Sequence, residues 1–163
     1  MSNQLIQRGQ QWLEELLRLS RLPAEVRATN EEQTSEDRPN YWLTINETQL
    51  TPQQIQILIG SDGSVLDAIQ YLANSILNLG QEEEHQSAYT VELDGYRLRR
   101  QEELQAMAAY AAQKVRETGE EFEMKSLSSA ERRQVHTFLK ECDDLETHSR
   151  GQEPDRRLIV RRR

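Results

Sequence analysis

Apolar residues in the first 95 positions follow two spacings, which together predict six elements of secondary structure. Apolar residues three and four apart indicate amphipathic helices, and apolar residues at every second position indicate strands with one buried face. In chain order the pattern predicts a helix over 3–20, strands over 24–29 and 41–46, helices over 52–60 and 65–80, and a strand over 88–93. This first part of the chain is therefore expected to run helix, strand, strand, helix, helix, strand.

The connections in this part contain residues that end helices and form turns. Pro23 ends the first helix, and the polar stretch 29–40 predicts an exposed loop that joins the first two strands into a hairpin. Thr51 is a favourable N-cap, followed by Pro52 at the first helical position. The next helix should bury one face and close at Gly80. That face comprises Val65, Leu66, Ile69, Leu72, Ala73, Ile76 and Leu77.

From Arg97 onward the pattern changes to one long helix followed by small elements. The expected elements are a helix ending near Gly119, a strand within 121–125, a helix from Ser128 or Ser129 to about Cys142, and strands near 145–149 and 157–161. Because helices and short strands are mixed in both parts, the fold class is predicted to be α+β with two small domains.

A Gly-x-x-Gly sequence joins the two middle helices of the first part, and it consists of Gly60, Ser61, Asp62 and Gly63. Glycines at both ends let a ligand approach the backbone, and the following helix offers unpaired N–H groups to a phosphate. The same residues also suit two helix caps, with Gly60 ending one helix and Asp62 or Ser64 starting the next. Spacing alone leaves both interpretations open.

Several segments within residues 40–160 together resemble one known family. The segments are 58–60, 66–72, 95–100, 131–136 and 146–160. The resemblance is to the Jag (KhpB) family, and it implies a type II KH domain (αββααβ) over 1–95. It also implies a second domain over 97–163, with a long helix, a further helix and a short three-stranded sheet. The second domain is the R-three-H domain, named for an Arg-x-x-x-His pair. The additional N-terminal domain of many members is not expected in this chain.

Arg132 and His136 form the Arg-x-x-x-His pair. Residues i and i+4 lie on one helix face about one turn apart, so both side chains can act on one ligand. Arg binds phosphate, and His donates to it or stacks on a base. The resemblance implies that this pair binds single-stranded RNA, with Arg156, Arg157 and the 60–63 loop as further contacts. The alternative is that Arg132 pairs with a nearby carboxylate and His136 fills a boundary position.

The Gly-x-x-Gly loop departs from the family pattern at Ser61 and Asp62, where Jag-type loops usually carry Lys or Arg. A carboxylate about 6 Å from a phosphate is unfavourable by roughly 0.7–2.8 kcal/mol for effective dielectric constants of 80 to 20. We therefore expect the first domain to bind RNA weakly, or to associate with a KH-only protein or with another copy of itself.

The charge distribution locates the expected RNA surface in the second half. The chain of 163 residues has a net charge of -8, which taken alone argues against nucleic-acid binding. Residues 1–96 hold 5 Arg and 15 acids, whereas residues 97–163 hold 15 bases and 13 acids. Residues 150–163 hold six Arg against two acids and are interpreted as a basic surface or as a solvated tail. The arginine content predicts RNA binding with a steep salt dependence.

Composition and motifs argue against several other classes of protein. No apolar run approaches the roughly 18 residues of a membrane span, and a single Cys142 excludes an internal disulfide. Residues 1–10 lack the basic-then-apolar pattern of a signal peptide, so none is expected. We therefore expect a cytoplasmic protein without membrane insertion. His136, Cys142 and His148 lack a fourth metal ligand, and the acids at 82–84 suit a solvated loop. No catalytic motif occurs, so neither a metal, a cofactor nor an enzymatic activity is predicted.

Two functions follow from these observations. The first is a non-catalytic protein that binds single-stranded RNA and acts in post-transcriptional regulation. By resemblance, it would also be connected to cell-envelope growth, division and cell shape. The second is a protein-interaction adaptor whose acidic first half docks a partner KH protein while the basic end tethers it to RNA or ribosomes.

Overall fold

The computed structural model describes residues 2–31 and 38–163, which form two compact units, Met1–Arg97 and Leu98–Arg163. The elements of the first unit are α1 (Ser2–Leu19), β1 (Val26–Glu31), β2 (Asn40–Ile45), α2 (Pro52–Ile59), α3 (Ser64–Leu77) and β3 (Ala88–Leu93). This order is the one that the hydrophobic pattern predicts. In the described part of the chain, no helix combines the length and the apolar character needed to cross a bilayer.

The first unit is built on a three-stranded sheet with β2 in the centre. Strand β2 is antiparallel to β1 and parallel to β3, with Asn40 opposite Ala88. Every second residue of β2 is buried, as expected for a strand with one face on a core. Leu13 and Leu17 of α1 are buried in the same core. Helix α2 begins as the sequence predicts, because Thr51 forms a capping box with Gln54.

The predicted loop at 29–40 is wrong at both of its ends. Thr29 to Glu31 extend β1, and Asn40 begins β2, with Glu31 opposite Asn40 in the antiparallel ladder. Because β1 is an edge strand, polar side chains on its solvated face do not prevent pairing. The remainder of the predicted loop, residues 32–37, lies outside the described residues.

Helix α3 exposes part of the face that the sequence predicts to be buried. Val65, Leu72 and Ile76 are 38%, 42% and 44% exposed. Each precedes a buried residue by one position and therefore lies about 100° around the helix from it. We call these three residues the outward apolar stripe of α3. The residues that face the core are Leu66, Ile69, Ala73 and Leu77.

Two predicted helix ends also differ from the structure. Helix α3 ends at Leu77 with Asn78 as its C-cap, whereas Gly80 lies in the following turn. A later helix that was expected to reach about Cys142 ends at Leu139. In both places the apolar pattern continues into a turn that already leaves the helix, so the pattern overestimates its length.

Side chains of α3 occupy the outer edge of β3. The Asn74 amide donates to the Tyr89 carbonyl oxygen at 2.8 Å, and its oxygen accepts from the Tyr89 N–H at 2.9 Å. Asn78 makes the same pair of contacts with Ser87, at 2.8 and 2.9 Å. Because these backbone groups are already bonded, this stretch of the edge is closed to pairing with a strand of another molecule.

The second unit packs two helices on a small antiparallel sheet. Its elements are α4 (which begins at the unit boundary, Tyr96–Thr118), β4 (Phe122–Met124), α5 (Ser129–Leu139), β5 (Leu145–Arg150) and β6 (Arg157–Arg162). Strand β6 lies between β4 and β5 and pairs with both. Ser128, rather than Ser129, caps α5 in a capping box with Glu131. The α+β fold class is confirmed.

Arg157, Arg161 and Arg162 belong to a strand and do not form a solvated tail. Leu158 and Val160 of β6 face the core. Side chains two residues apart in a strand share a face, so Arg157, Ile159 and Arg161 lie on the other face of the sheet. Ile159 is nevertheless fully buried. Charged side chains on this outer face form ion pairs, namely Arg150 with Glu121, Arg157 with Glu123, and Arg161 with Glu146. The interpretation of the segment as a tail is therefore wrong for Arg157–Arg162.

Candidate functional site

A polar pocket of about 450 Å³ in the second unit is bordered by α5, β5 and the segment that precedes β6. Its lining residues are Ser129, Arg132, Arg133, His136, Thr147, His148, Ser149, Glu153, Arg156 and Leu158. The lining contains three guanidinium groups, those of Arg132, Arg133 and Arg156, and one carboxylate, that of Glu153. The pocket therefore has an excess of positive charge, in a chain that is acidic as a whole.

Arg132 lines the pocket, but its guanidinium is already bonded inside the protein. The residue is 5% exposed. Its Nη1 donates to the carbonyl oxygens of Leu127 and Arg156, at 2.7 and 3.3 Å, and its Nη2 donates to the Glu153 carboxylate. This is the carboxylate pairing that the sequence left as the alternative. Arg132 thus holds the segment that contains Glu153 and Arg156 against α5.

His136 is exposed on the same helix, and its ring is held by one hydrogen bond. Its Nδ1 is bonded to Oγ1 of Thr147, which lies on β5. The other ring nitrogen, Nε2, is therefore the atom of His136 that remains for a ligand in the pocket. With the ring oriented in this way, Nε2 can form a hydrogen bond with a phosphate oxygen or with the edge of a base.

Two further arginines line the pocket without an ion-pair partner among the described residues. Arg133 and Arg156 are exposed, and within residues 2–31 and 38–163 their guanidinium groups have no hydrogen bond or ion pair. Glu153 is bonded to Arg132, and Glu131 accepts from Arg100 at 2.7 Å. Asp155, which directly precedes Arg156, is exposed and forms no ion pair with a described residue. These two arginines are the charged groups that an anion in the pocket can reach.

Three of the four predicted contact residues outside the loop meet in this pocket, and the fourth does not. Arg132, His136 and Arg156 line it, whereas Arg157 lies on the outer face of the sheet, where it donates to Glu123 at 2.8 Å. Arg133, which also lines the pocket, was not among the contact residues predicted from the sequence. Helical spacing could have found it, because it lies four residues after one lining residue and three before His136.

The Gly-x-x-Gly loop belongs to the first unit, and packing within that unit explains both of its glycines. Gly60 has φ +73°, and an added Cβ would lie 2.5 Å from a methyl group of Val65. Gly63 has φ +77°, and an added Cβ would lie 2.5 Å from the ring of Tyr96. The N-cap of α3 is Gly63 itself, so the prediction of Asp62 or Ser64 at this position is wrong.

The remaining two loop residues are Ser61 and Asp62, and both are exposed. Asp62 has φ +52°, in the left-handed region. Its carboxylate lies on the surface of the loop, because the side chain is exposed.

Potential metal ligands come together at one place in the described part of the chain. Carboxylate and imidazole atoms of Glu82, Glu84 and His85 lie within 4.8 Å of one another. All three residues are exposed on a loop of the first unit, and exposed acidic groups commonly cluster without binding an ion. This cluster adds nothing to the pocket described above.

Comparison with known protein families defines the class of the second unit. Residues 102–162 match the R-three-H domain, which is the domain that the Arg-x-x-x-His pair of α5 indicated. The matched range contains all the residues that line the pocket.

Comparison with individual proteins extends the similarity to about two thirds of the chain. It is 33% identical over 104 residues to a protein of Clostridium symbiosum named RNA-binding protein KhpB, covering 64% of this chain and 46% of that protein. It is 29% identical over 116 residues to the protein of the same name from Bacillus subtilis (strain 168), and the match covers 68% of this chain and 53% of that protein. It is 32% identical over 104 residues to the protein of that name from Streptococcus pneumoniae serotype 2, and the match covers 63% of this chain and 31% of that protein. The chain is thus similar to these KhpB proteins over about two thirds of its own length, and it spans about a third to a half of the length of these relatives.

Proposed function

We propose that this chain is a non-catalytic, cytoplasmic protein that binds single-stranded RNA in the pocket of its R-three-H domain and acts in post-transcriptional regulation. This proposal rests on two guanidinium groups, those of Arg133 and Arg156, which lie beside His136 in one pocket and form no ion pair with a described residue. The names of the relatives support RNA as the ligand.

The groups in the pocket suit a phosphate with an attached sugar and base. Arginine binds phosphate oxygens through two parallel hydrogen bonds, and these charge-assisted bonds are about twice as strong as neutral ones. The hydroxyl groups of Ser129 and Ser149 offer weaker contacts around them. Single strands are favoured over duplexes because a duplex would not enter a pocket of this size with its bases accessible.

The salt dependence of this binding should be shallower than the arginine content suggests. Single-stranded binding loses affinity with a slope of about -0.7 per neutralised phosphate when log K is plotted against log salt. With two free arginines in the pocket, we expect a slope between about -1 and -2. The arginines of the outer sheet face contribute little, because they are paired with glutamates.

The proposal is tested by fluorescence anisotropy with a labelled single-stranded oligouridine. Arg133→Gln and Arg156→Gln should each weaken binding about tenfold, since hydrogen bonds to a charged group contribute roughly 1.5–3 kcal/mol and part of this is screened at an exposed site. Arg157→Gln removes the same charge from the opposite face of the sheet and should change the affinity less than about twofold. Equal losses in all three variants would argue for a diffuse basic surface and against the pocket.

We also propose that residues 1–95 form a type II KH domain. The order α1-β1-β2-α2-α3-β3 supports this, together with the Gly-x-x-Gly loop between α2 and α3. A second function is favoured by one observation in this unit: Val65, Leu72 and Ile76 form the outward apolar stripe. Such a stripe suits docking of a partner KH protein or of another copy of this chain. The edge of β3 suits it less, because Asn74 and Asn78 already occupy its backbone groups.

Replacing Asp62 by Lys separates RNA binding by the loop from docking. If the Asp62 carboxylate prevents the loop from binding RNA, Asp62→Lys should raise oligouridine affinity by up to about tenfold. The change removes the repulsion between the carboxylate and the RNA phosphate and adds an attraction between lysine and that phosphate. Binding of a KH partner should not change. The measurement is best made in a chain that also carries Arg133→Gln and Arg156→Gln, so that the pocket does not mask the loop.

Glu84→Lys provides the control for Asp62→Lys, because it makes the same charge change at an exposed position outside the loop. An affinity that rises equally in both variants would indicate a general charge effect. A decrease with Asp62→Lys would show that the loop already grips RNA in its present form, which would contradict the docking function.

The cellular part of the proposal is post-transcriptional regulation, with a connection to cell-envelope growth, division and cell shape that rests on the family alone. Crosslinking the protein to RNA in cells and sequencing the attached fragments tests it. Enrichment of messenger transcripts that is lost in Arg133→Gln/Arg156→Gln is the expected result.

A further inference from the structure

Thr147 is the residue that holds the ring of His136 in the pocket. The two residues lie on different elements, His136 on α5 and Thr147 on β5. Thr147 pairs with Val160 across the ladder, and Val160 belongs to the core between the sheet and its helices. The threonine side chain therefore extends from the face of the sheet that α5 covers, where its Oγ1 meets Nδ1 of His136.

The hydrogen-bonding groups at this contact decide which ring nitrogen carries the proton. A threonine hydroxyl can donate one hydrogen and accept others, and a neutral imidazole has one donor and one acceptor nitrogen. For the part of the chain that the structure describes, the Thr147 hydroxyl has no hydrogen-bond partner other than His136. When the hydroxyl donates to Nδ1, its hydrogen is used and the proton of the ring lies on Nε2. The opposite arrangement leaves the hydroxyl hydrogen without a protein acceptor.

We propose that Thr147 is a positioning residue that fixes His136 as an Nε2–H donor toward the pocket. This inference rests on the proposed function, because the ligand of that donor is the RNA. The held imidazole presents its N–H to a phosphate oxygen or a base acceptor without needing a second proton. In this tautomer His136 donates from Nε2 beside the permanent charges of Arg133 and Arg156.

A double-mutant cycle with Thr147→Val and His136→Ala tests the inference in the full chain. Valine keeps the shape and the strand preference of threonine but removes the hydroxyl. Thr147→Val should weaken oligouridine binding at pH 8 about 2- to 10-fold, which is the usual range for one net hydrogen bond. Thr147→Ser retains the hydroxyl and should restore most of that loss. In a His136→Ala background, Thr147→Val should have no further effect, since Thr147 acts through the ring.

The tautomer is measured directly by the ¹⁵N chemical shifts of the His136 ring at the same pH. The wild-type chain should show the proton on Nε2, and Thr147→Val should show a mixture of both tautomers. Failure of the wild-type chain to bind oligouridine would refute the proposed function, whereas the ring shifts would still test the role of Thr147. Binding that is unchanged in Thr147→Val, a loss that persists in His136→Ala, or a proton on Nδ1 would each overturn the inference.

Discussion

Arg132→Met is expected to lower the free energy of unfolding of the R-three-H domain by about 2–4 kcal/mol. The substitution leaves the carbonyl oxygens of Leu127 and Arg156 without their donor, and it separates Glu153 from its partner. Breaking a buried ion pair costs about 3–5 kcal/mol. The lower range applies here because Glu153 is 60% exposed and regains water. Hydrogen exchange at the buried Val135 amide in α5 measures the change.

The neighbouring Arg133 provides the control for this prediction. Arg133→Met should change stability by less than about 0.5 kcal/mol, because the residue is exposed and unpaired among the described residues. It should nevertheless weaken RNA binding. Both tryptophans, Trp12 and Trp42, lie in the first unit, so their fluorescence should report an unchanged unfolding transition in either variant. If Arg132→Met keeps full protection while losing RNA, Arg132 is a direct contact and this account of it is wrong.

Gly63→Ala is expected to destabilise the first unit by about 2–5 kcal/mol. An alanine at φ +77° is strained by about 1–2 kcal/mol. Its Cβ would also lie 2.5 Å from the Tyr96 ring, and overpacking of this kind costs about 1–3 kcal/mol more. Urea unfolding followed by tryptophan fluorescence measures the effect, since the signal comes from this unit alone.

Gly80→Ala separates the two contributions. Gly80 has φ +75°, and an added Cβ would meet nothing within 4 Å in the described structure. This variant should therefore lose only about 1 kcal/mol, from backbone strain. Equal losses for Gly63→Ala and Gly80→Ala would show that the Tyr96 contact relaxes easily and does not explain the second glycine of the loop.

The hydrophobic pattern predicts the elements of this fold better than their faces or ends. It predicts α2 and its Thr51 cap, because capping and periodicity are local properties. It does not predict which side of α3 is covered, because Leu66 and Val65 are equally apolar and only the position of the sheet distinguishes them. The same limit applies to strand β1, whose polar residues are stabilised by a partner strand rather than by their own pattern.

The candidate site was predictable in its location but only partly in its chemistry. The Arg-x-x-x-His pair directs attention to α5, and His136 does line the pocket. The spacing of Arg132 from Val135 and Leu139, three and seven residues on, already places it on the buried stripe of that helix. Its partner Glu153 comes from 21 residues along the chain, which no local spacing reveals. Arg157 is excluded from the pocket because side chains of β6 alternate between the core face and the outer face, and Arg157 lies on the outer one. Which face is covered by the core becomes known only in the folded protein.

An NMR titration of the ¹⁵N-labelled chain with oligouridine tests the central claim most directly. Shift changes should concentrate on α5, on β5 and on the segment before β6, with Arg133, His136 and Arg156 among the largest. Residues of the Gly60–Gly63 loop should shift little. Changes centred on that loop, or on the outer sheet face at Arg157, would contradict the assignment of RNA binding to this pocket.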